Sequence, residues 1–312
     1  MAIPSKVAFI FPGQGAQCVG MGRDLYESFP EARKVFETAD AVLGFELSRL
    51  MFEGPEDELT RTVNTQPALL TVSVAALKVV ESKGIRPDVT AGHSVGEYAA
   101  LVAAGALDLS EAVRLVRRRG ELMHEVGSSV PGTMAAVLGL SDEDVKSAVE
   151  QAQSAGIVDV ANFNSPGQIV ISGTPEGVEE AGRIAKERGA KRVMPLKVSG
   201  AFHSRLMAPA AESMRLELEK AQISDPSVPV VANVTADYVR TAEDVRKALA
   251  DQITGSVRWD ESVQKMAADG VESFVELGSG TVLAGLVKRI VKDVYVVSVG
   301  DTNSLEALLK ES

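Results

Sequence analysis

Ser94 lies in Val89-Thr90-Ala91-Gly92-His93-Ser94-Val95-Gly96-Glu97: an apolar run, then Gly-x-Ser-x-Gly, then a helical pattern. Between a strand and a helix, this spacing makes a nucleophile elbow. The serine occupies a sharp turn with its hydroxyl exposed, and the flanking glycines let chain segments pass closely. The helix N-terminus that follows favours negative charge, which suits the oxyanion of acyl transfer. Five residues alone would also describe an ordinary Gly-Ser turn; the flanking elements favour the elbow.

A serine hydroxyl is a poor nucleophile until a base takes its proton. The chain has three histidines. His93 adjoins Ser94 in a tight turn, so its side chain is expected to point away and to orient or pack. His124 falls near the end of a helical segment and reads as a surface residue. His203, in the turn-rich Val198-Ser199-Gly200-Ala201-Phe202-His203-Ser204, remains as the base by elimination.

Arg119 shares a helical stripe with Ala112, Leu115, Val116 and Met123, at the i+7 position of an otherwise apolar face. Arg117 and Arg118 fall elsewhere on the helix and are expected to reach solvent. An inward arginine needs a carboxylate or several carbonyls, because an unpaired buried charge is costly. Two readings follow: an internal salt bridge, or a bidentate clamp for a substrate carboxylate. Phe11-Pro12-Gly13-Gln14-Gly15-Ala16-Gln17 follows the first apolar run. It lacks dinucleotide spacing and a Walker lysine. It reads as a tight turn or as a loop offering a backbone N–H to a ligand.

The elements that must carry these residues alternate between strands and helices. Apolar runs at 7–11, 89–92, 228–233, 271–276 and 294–299 read as strands. Helical patterns cover about 23–43, 66–83, 95–104, 110–126, 243–253, 260–269 and 281–291, with Ser110 as a plausible N-cap. That alternation predicts an α/β fold with a mostly parallel sheet. The middle differs. Strand 133–138, helix 141–154, strand 158–163, a turn at Asn164-Ser165-Pro166-Gly167, strand 168–172, helix 175–188 and strand 191–196 give the β-α-β-β-α-β order of a ferredoxin-like unit. A small domain over 129–197 is therefore expected, inserted into a large one formed by 1–128 and 198–312.

Bulk properties narrow the function class. The 312 residues, 45% hydrophobic, can bury a sizeable core and suit one large unit with an insertion. A net charge of −11 argues against a general nucleic-acid binder. The lone Cys18 excludes an internal disulfide framework and suits a reducing, cytoplasmic compartment. The N-terminal apolar run is too short and too soon broken by Pro12-Gly13 for a signal peptide. No run reaches the roughly 18 consecutive apolar residues of a membrane helix. Three histidines and one cysteine make a structural zinc site unexpected.

Five segments together carry a family resemblance: Phe-Pro-Gly-Gln-Gly-Ala-Gln at 11–17, Gly-His-Ser-Val-Gly-Glu-Tyr at 92–98, Arg-Arg-Gly at 118–120, Asn-Phe-Asn-Ser-Pro-Gly-Gln at 162–168 and Ala-Phe-His-Ser at 201–204. In order and spacing, over essentially the whole chain, they resemble the malonyl-CoA:acyl carrier protein transacylases of type II fatty-acid synthesis, and are similar to polyketide synthase acyltransferase domains. The resemblance implies a hydrolase-like α/β domain with a ferredoxin-like insertion. It implies Ser94 as nucleophile, His203 as base, the backbone N–H groups of Gln14 and Val95 as oxyanion hole, and Arg119 as carboxylate clamp. It also implies Gln252 as the residue whose backbone carbonyl orients His203.

No cofactor or metal is implied. The implied partners are malonyl-CoA and acyl carrier protein, with no nucleic acid or membrane, and the expected state is a monomer. In related acyltransferases Ala-Phe-His goes with malonyl and Ala-Ser-His with methylmalonyl, so Phe202 is expected to set specificity. A one-methyl choice is worth only about 1–3 kcal/mol. Carrier docking to so acidic a chain would use a local basic patch, either Lys186, Arg188, Lys191 and Arg192 or Lys288, Arg289 and Lys292. A serine thioesterase or hydrolase shares the elbow and base, although Arg119 would be stranded beside a neutral ester. A stand-alone polyketide acyltransferase shares the chemistry with a different carrier, and a non-catalytic binding module would not need Ser94, His203 and Arg119 together.

Overall fold

The computed structural model describes residues 6–311; residues 1–5, the head of the N-terminal segment, lie outside them. The strands are β1 (Val7–Phe11), β2 (Val89–Gly92), β3 (Thr133–Leu138), β4 (Val158–Ser165), β5 (Gln168–Gly173), β6 (Arg192–Pro195), β7 (Val230–Val231), β8 (Tyr238–Val239), β9 (Val257–Arg258), β10 (Ser273–Leu277) and β11 (Tyr295–Val299). They form two sheets. One runs β11-β10-β1-β2-β7-β8, and the other β6-β3-β5-β4-β9.

The first sheet is parallel from β11 to β7, with only β8 antiparallel. All five residues of β1 are buried, as a strand covered on both faces requires. Its side chains split by the two-residue period: Phe9 and Phe11 enter the main core, Ala8 and Ile10 the core on the opposite face. The C-terminal ends of β1 and β2 deliver the Pro12–Gln17 loop and the Ser94 turn side by side, with Phe11 in register with Gly92. The fold is the mixed α/β, hydrolase-like architecture expected from the alternating elements.

The second sheet takes the order β6-β3-β5-β4, antiparallel throughout, which is the ferredoxin-like arrangement, and its helices have their own core. Its far edge is completed by β9, which pairs parallel with β4 and comes from outside 129–197. Two residues are too few to read as a strand from sequence.

Several elements differ from expectation for local reasons. The segment 23–43 forms two helices, Arg23–Ser28 and Pro30–Leu43, because Phe29 is extended ahead of a proline in the first turn. The helix bearing Arg119 starts two residues earlier than Ser110 suggests. It spans Leu109–Ser129, and Asp108 is its cap, accepting from Glu111 N at 2.7 Å. The Thr62–Ser82 helix is long and apolar enough, by length and composition, to cross a membrane, and nearly all of it is buried inside the fold.

Candidate active site

The elbow is enforced sterically. A Cβ on Gly92 would stand 2.0 Å from the Gly96 carbonyl carbon, and one on Gly96 would stand 2.2 Å from the Phe11 carbonyl oxygen. No side chain fits either place. Ser94 takes φ 52°, a left-handed conformation that non-glycine residues hold only when their surroundings over-determine it. Those surroundings are visible. Asn233 Oδ1 accepts from Ser94 N at 2.7 Å, and Asn233 Nδ2 donates to the Gly92 carbonyl at 2.6 Å. Buried Glu97 accepts from Asn233 N at 3.0 Å and from Gln252 Nε2 at 2.8 Å.

Ser94 Oγ lies 2.8 Å from His203 Nε2. His203 Nδ1 lies 2.8 Å from the Gln252 carbonyl and 3.2 Å from that of Gly255. Carbonyls only accept, so the imidazole proton sits on Nδ1 and the Nε2 lone pair faces the serine. Burial, and next the positive charge of Arg119, push the His203 pKa down to about 3. The imidazole is thus neutral at physiological pH.

On the other side of the serine, Arg119 Nη2 donates to Ser94 Oγ at 3.2 Å and to Gln252 Oε1 at 2.9 Å; Nη1 donates to Gln66 Oε1 at 2.6 Å. Arg119 is only 1% exposed. It makes no ion pair among the described residues, so the internal salt bridge left open by its position on the helix is not formed. Its partners are amide and hydroxyl oxygens, and its buried Nε has none. Arg117 and Arg118, by contrast, pair with glutamates near the surface. Burial raises the Glu97 carboxyl to about 7, against the opposing pull of its hydrogen bonds and of Arg119.

The other predicted residues fall in two groups. Gln14, Val95 and Phe202 line the same cleft as Ser94, Arg119 and His203, walled by Met123, Met134, Leu196 and Val198. Neither Gln14 N nor Val95 N donates a hydrogen bond to the described residues. Phe202 is 5% exposed. His93 also borders this cleft, but its Nε2 faces Asn164 Oδ1, 2.9 Å away, and its ring lies 5.8 Å from that of Trp259. His124 lines a separate recess with Lys197. The basic side chains proposed for docking are exposed; Arg188 pairs with Asp144 and Arg289 donates to Gln168.

Sequence reasoning missed Gln66, Glu97 and Asn233. Glu97 and Asn233 reach the serine turn through bonds spanning more than a hundred residues, and only Glu97, directly after the elbow, carried a local hint.

A family model described as an acyl transferase domain matches residues 8–306, and the chain belongs to that family. Individual relatives narrow the class. A malonyl CoA-acyl carrier protein transacylase of Bacillus subtilis (strain 168) is 50% identical over 307 residues, covering 98% of this chain and 97% of that one. An acyl carrier protein S-malonyltransferase from Vibrio cholerae superposes with a TM-score of 0.94 at 45% identity, covering 97% of this chain and all of that one. A malonyl-transacylase solved in complex with a type II PKS acyl carrier protein superposes with a TM-score of 0.95 at 45% identity, covering 99% and 100%.

Proposed function

We propose that this chain, an acyltransferase by family, moves a malonyl group from malonyl-CoA to the phosphopantetheine thiol of acyl carrier protein, supplying fatty-acid synthesis in the cytoplasm. One observation carries the reading: Ser94 Oγ stands between a neutral histidine base and a buried arginine that has no carboxylate partner.

The reaction is ping-pong. Ser94 Oγ attacks the thioester carbonyl as His203 Nε2 takes its proton, and the Gln14 and Val95 N–H groups receive the oxyanion. The C–S bond breaks, His203 returns the proton to the departing coenzyme A sulfur, and malonyl-Ser94 remains. The carrier thiol then loses its proton to His203, attacks the ester, and leaves as malonyl thioester while Ser94 regains the proton. Gln252 orients the base through its carbonyl. Arg119 binds the malonyl carboxylate, and Phe202 closes the space an α-methyl branch would need. When that carboxylate neutralises Arg119, one of the forces depressing His203 weakens, so substrate binding strengthens the base.

We take 129–197 as an inserted unit whose Met134, Asn162 and Leu196 wall the cleft opposite the elbow. A second reading has one specific observation behind it: a 45% identical relative was solved with a type II PKS carrier. The carrier would then serve polyketide assembly with the same chemistry. The test incubates the protein with malonyl-CoA alone and with each holo carrier. Rapid transfer with slow hydrolysis supports the proposal, the lower carrier KM assigns the pathway, and fast hydrolysis independent of carrier would make the chain a thioesterase.

A further inference from the structure

Arg119 does not end at the serine. Its Nη1 donates to Gln66 Oε1 at 2.6 Å, Gln66 Nε2 donates to Thr62 Oγ1 at 3.0 Å, and Thr62 Oγ1 donates to Gln14 Oε1 at 3.2 Å. Each donor and acceptor runs in the same direction, so the three bonds polarise one another. Gln66 and Thr62 are 1% and 2% exposed, which removes competing water. The two helices involved are brought together by a glycine: a Cβ on Gly120 would stand 2.9 Å from the Thr62 carbonyl oxygen. At the far end the loop bearing Gln14 is pinned at its neighbour, where a Cβ on Gly13 would stand 2.5 Å from the His93 carbonyl oxygen.

We propose that Gln66 and Thr62 are positioning residues that tie Gln14, the first oxyanion donor, to the guanidinium of Arg119, so that one rigid relay sets both the acid-reading end and the oxyanion end of the site. This rests on the functional reading above, in which the Gln14 N–H receives the oxyanion. The backbone N–H is aimed by two constraints, the packed Gly13 peptide and the side-chain anchor on Thr62. Removing the hydroxyl leaves Arg119 held by Gln66 and Gln252 but lets Gln14 drift.

Because the oxyanion exists only in the transition state, the loss falls on kcat and not on KM. Deleting an oxyanion donor outright costs about 10²–10³-fold; displacing one is expected to cost about tenfold. The experiment compares the parent with Thr62→Val, Thr62→Ser and Gln66→Met, using malonyl-CoA and, as a thioester without the carboxylate, acetyl-CoA. Thr62→Val is expected to lower kcat about tenfold on both thioesters with KM for malonyl-CoA within twofold, and Thr62→Ser to restore kcat within twofold. Gln66→Met, cut nearer the arginine, should lower kcat and also raise KM for malonyl-CoA. Unchanged kcat in Thr62→Val, or a loss confined to KM, overturns the relay. So does a kcat loss that Thr62→Ser does not restore while both variants keep the parent's melting temperature. Should Thr62→Val fail to fold, Gln66→Met with unchanged kcat overturns the relay equally. A parent that forms no malonyl-Ser94 defeats the functional reading itself, a separate result from any of these.

Discussion

At the scale of single residues, the chemistry depends on what Arg119 is denied. A guanidinium buried among amide oxygens, with its Nε unpartnered, loses its hydration with no carboxylate hydrogen-bonded to it, Glu97 acting on it only through space. In the proposed reaction a substrate carboxylate would supply the missing charge, so the site would favour an acidic acyl group over a neutral one. The same arginine acts on the base. Burial is the larger cause of His203's depressed pKa and Arg119 the second, so removing the positive charge must raise the value while burial still holds it low. In Arg119→Gln the His203 pKa should rise from about 3 toward, and remain below, the 6.5 of an exposed histidine, as read from the imidazole NMR shifts against pH. An unchanged or lower value would mean that the two side chains do not interact. Beside them, Phe202→Ser should raise methylmalonyl transfer relative to malonyl, and equal relative rates in parent and variant would remove Phe202 from specificity.

Whole elements explain why those residues meet. The strand–turn–helix around Ser94 works because two positions admit no side chain. Gly96→Ala would drive a methyl into the Phe11 carbonyl, 2.2 Å from it, so β1 or the Gly96–Ala103 helix must move. Activity should fall at least a hundredfold and the protein should lose several kcal/mol of stability, about 1–3 kcal/mol being the ordinary cost of overpacking. Near-parent activity with a parent melting temperature would show that the crossing relaxes easily.

Much at this scale was legible in the sequence. β3 and the Ser141-capped helix were readable because period, cap and flanking turns agree locally. Ser94 was readable from its turn, and Arg119 from a charge on an apolar stripe. The helix Ala208–Lys220, the two-residue strands β8 and β9, and the split at Phe29-Pro30 were not, while the strand read at 228–233 pairs only over Val230–Val231. The short strands exist only because a neighbour in the sheet pairs with them. Asn233 and Gln66 look like ordinary polar residues until the fold brings them to the serine turn and the arginine. The family motifs supplied Gln14, proposed to act through its backbone N–H, and Gln252, whose carbonyl meets His203 Nδ1; backbone groups leave no trace in side-chain pattern.

For the whole molecule, the proposed reaction requires a chain of net charge −11 to receive a carrier protein, which a local basic patch would allow. The exposed basic groups flank the site unevenly. Arg289 donates to Gln168, which lines a recess shared with Gln14 and His93, whereas Arg188 is engaged with Asp144. Charge reversal at Lys288, Arg289 and Lys292 should therefore raise the carrier KM several-fold more than reversal at Lys186, Arg188, Lys191 and Arg192, with the difference shrinking as salt is added. Equal carrier KM values for the two sets would dissociate docking from this edge.

Whether Ser94 carries the acyl group between two thiols can be read by mass spectrometry of protein quenched rapidly after malonyl-CoA is added. A malonyl adduct localised to Ser94 is expected, absent in Ser94→Ala, weakened in Arg119→Ala, and discharged by holo carrier protein. An adduct on another residue, or none on Ser94 while malonyl transfer proceeds, would contradict that role for Ser94.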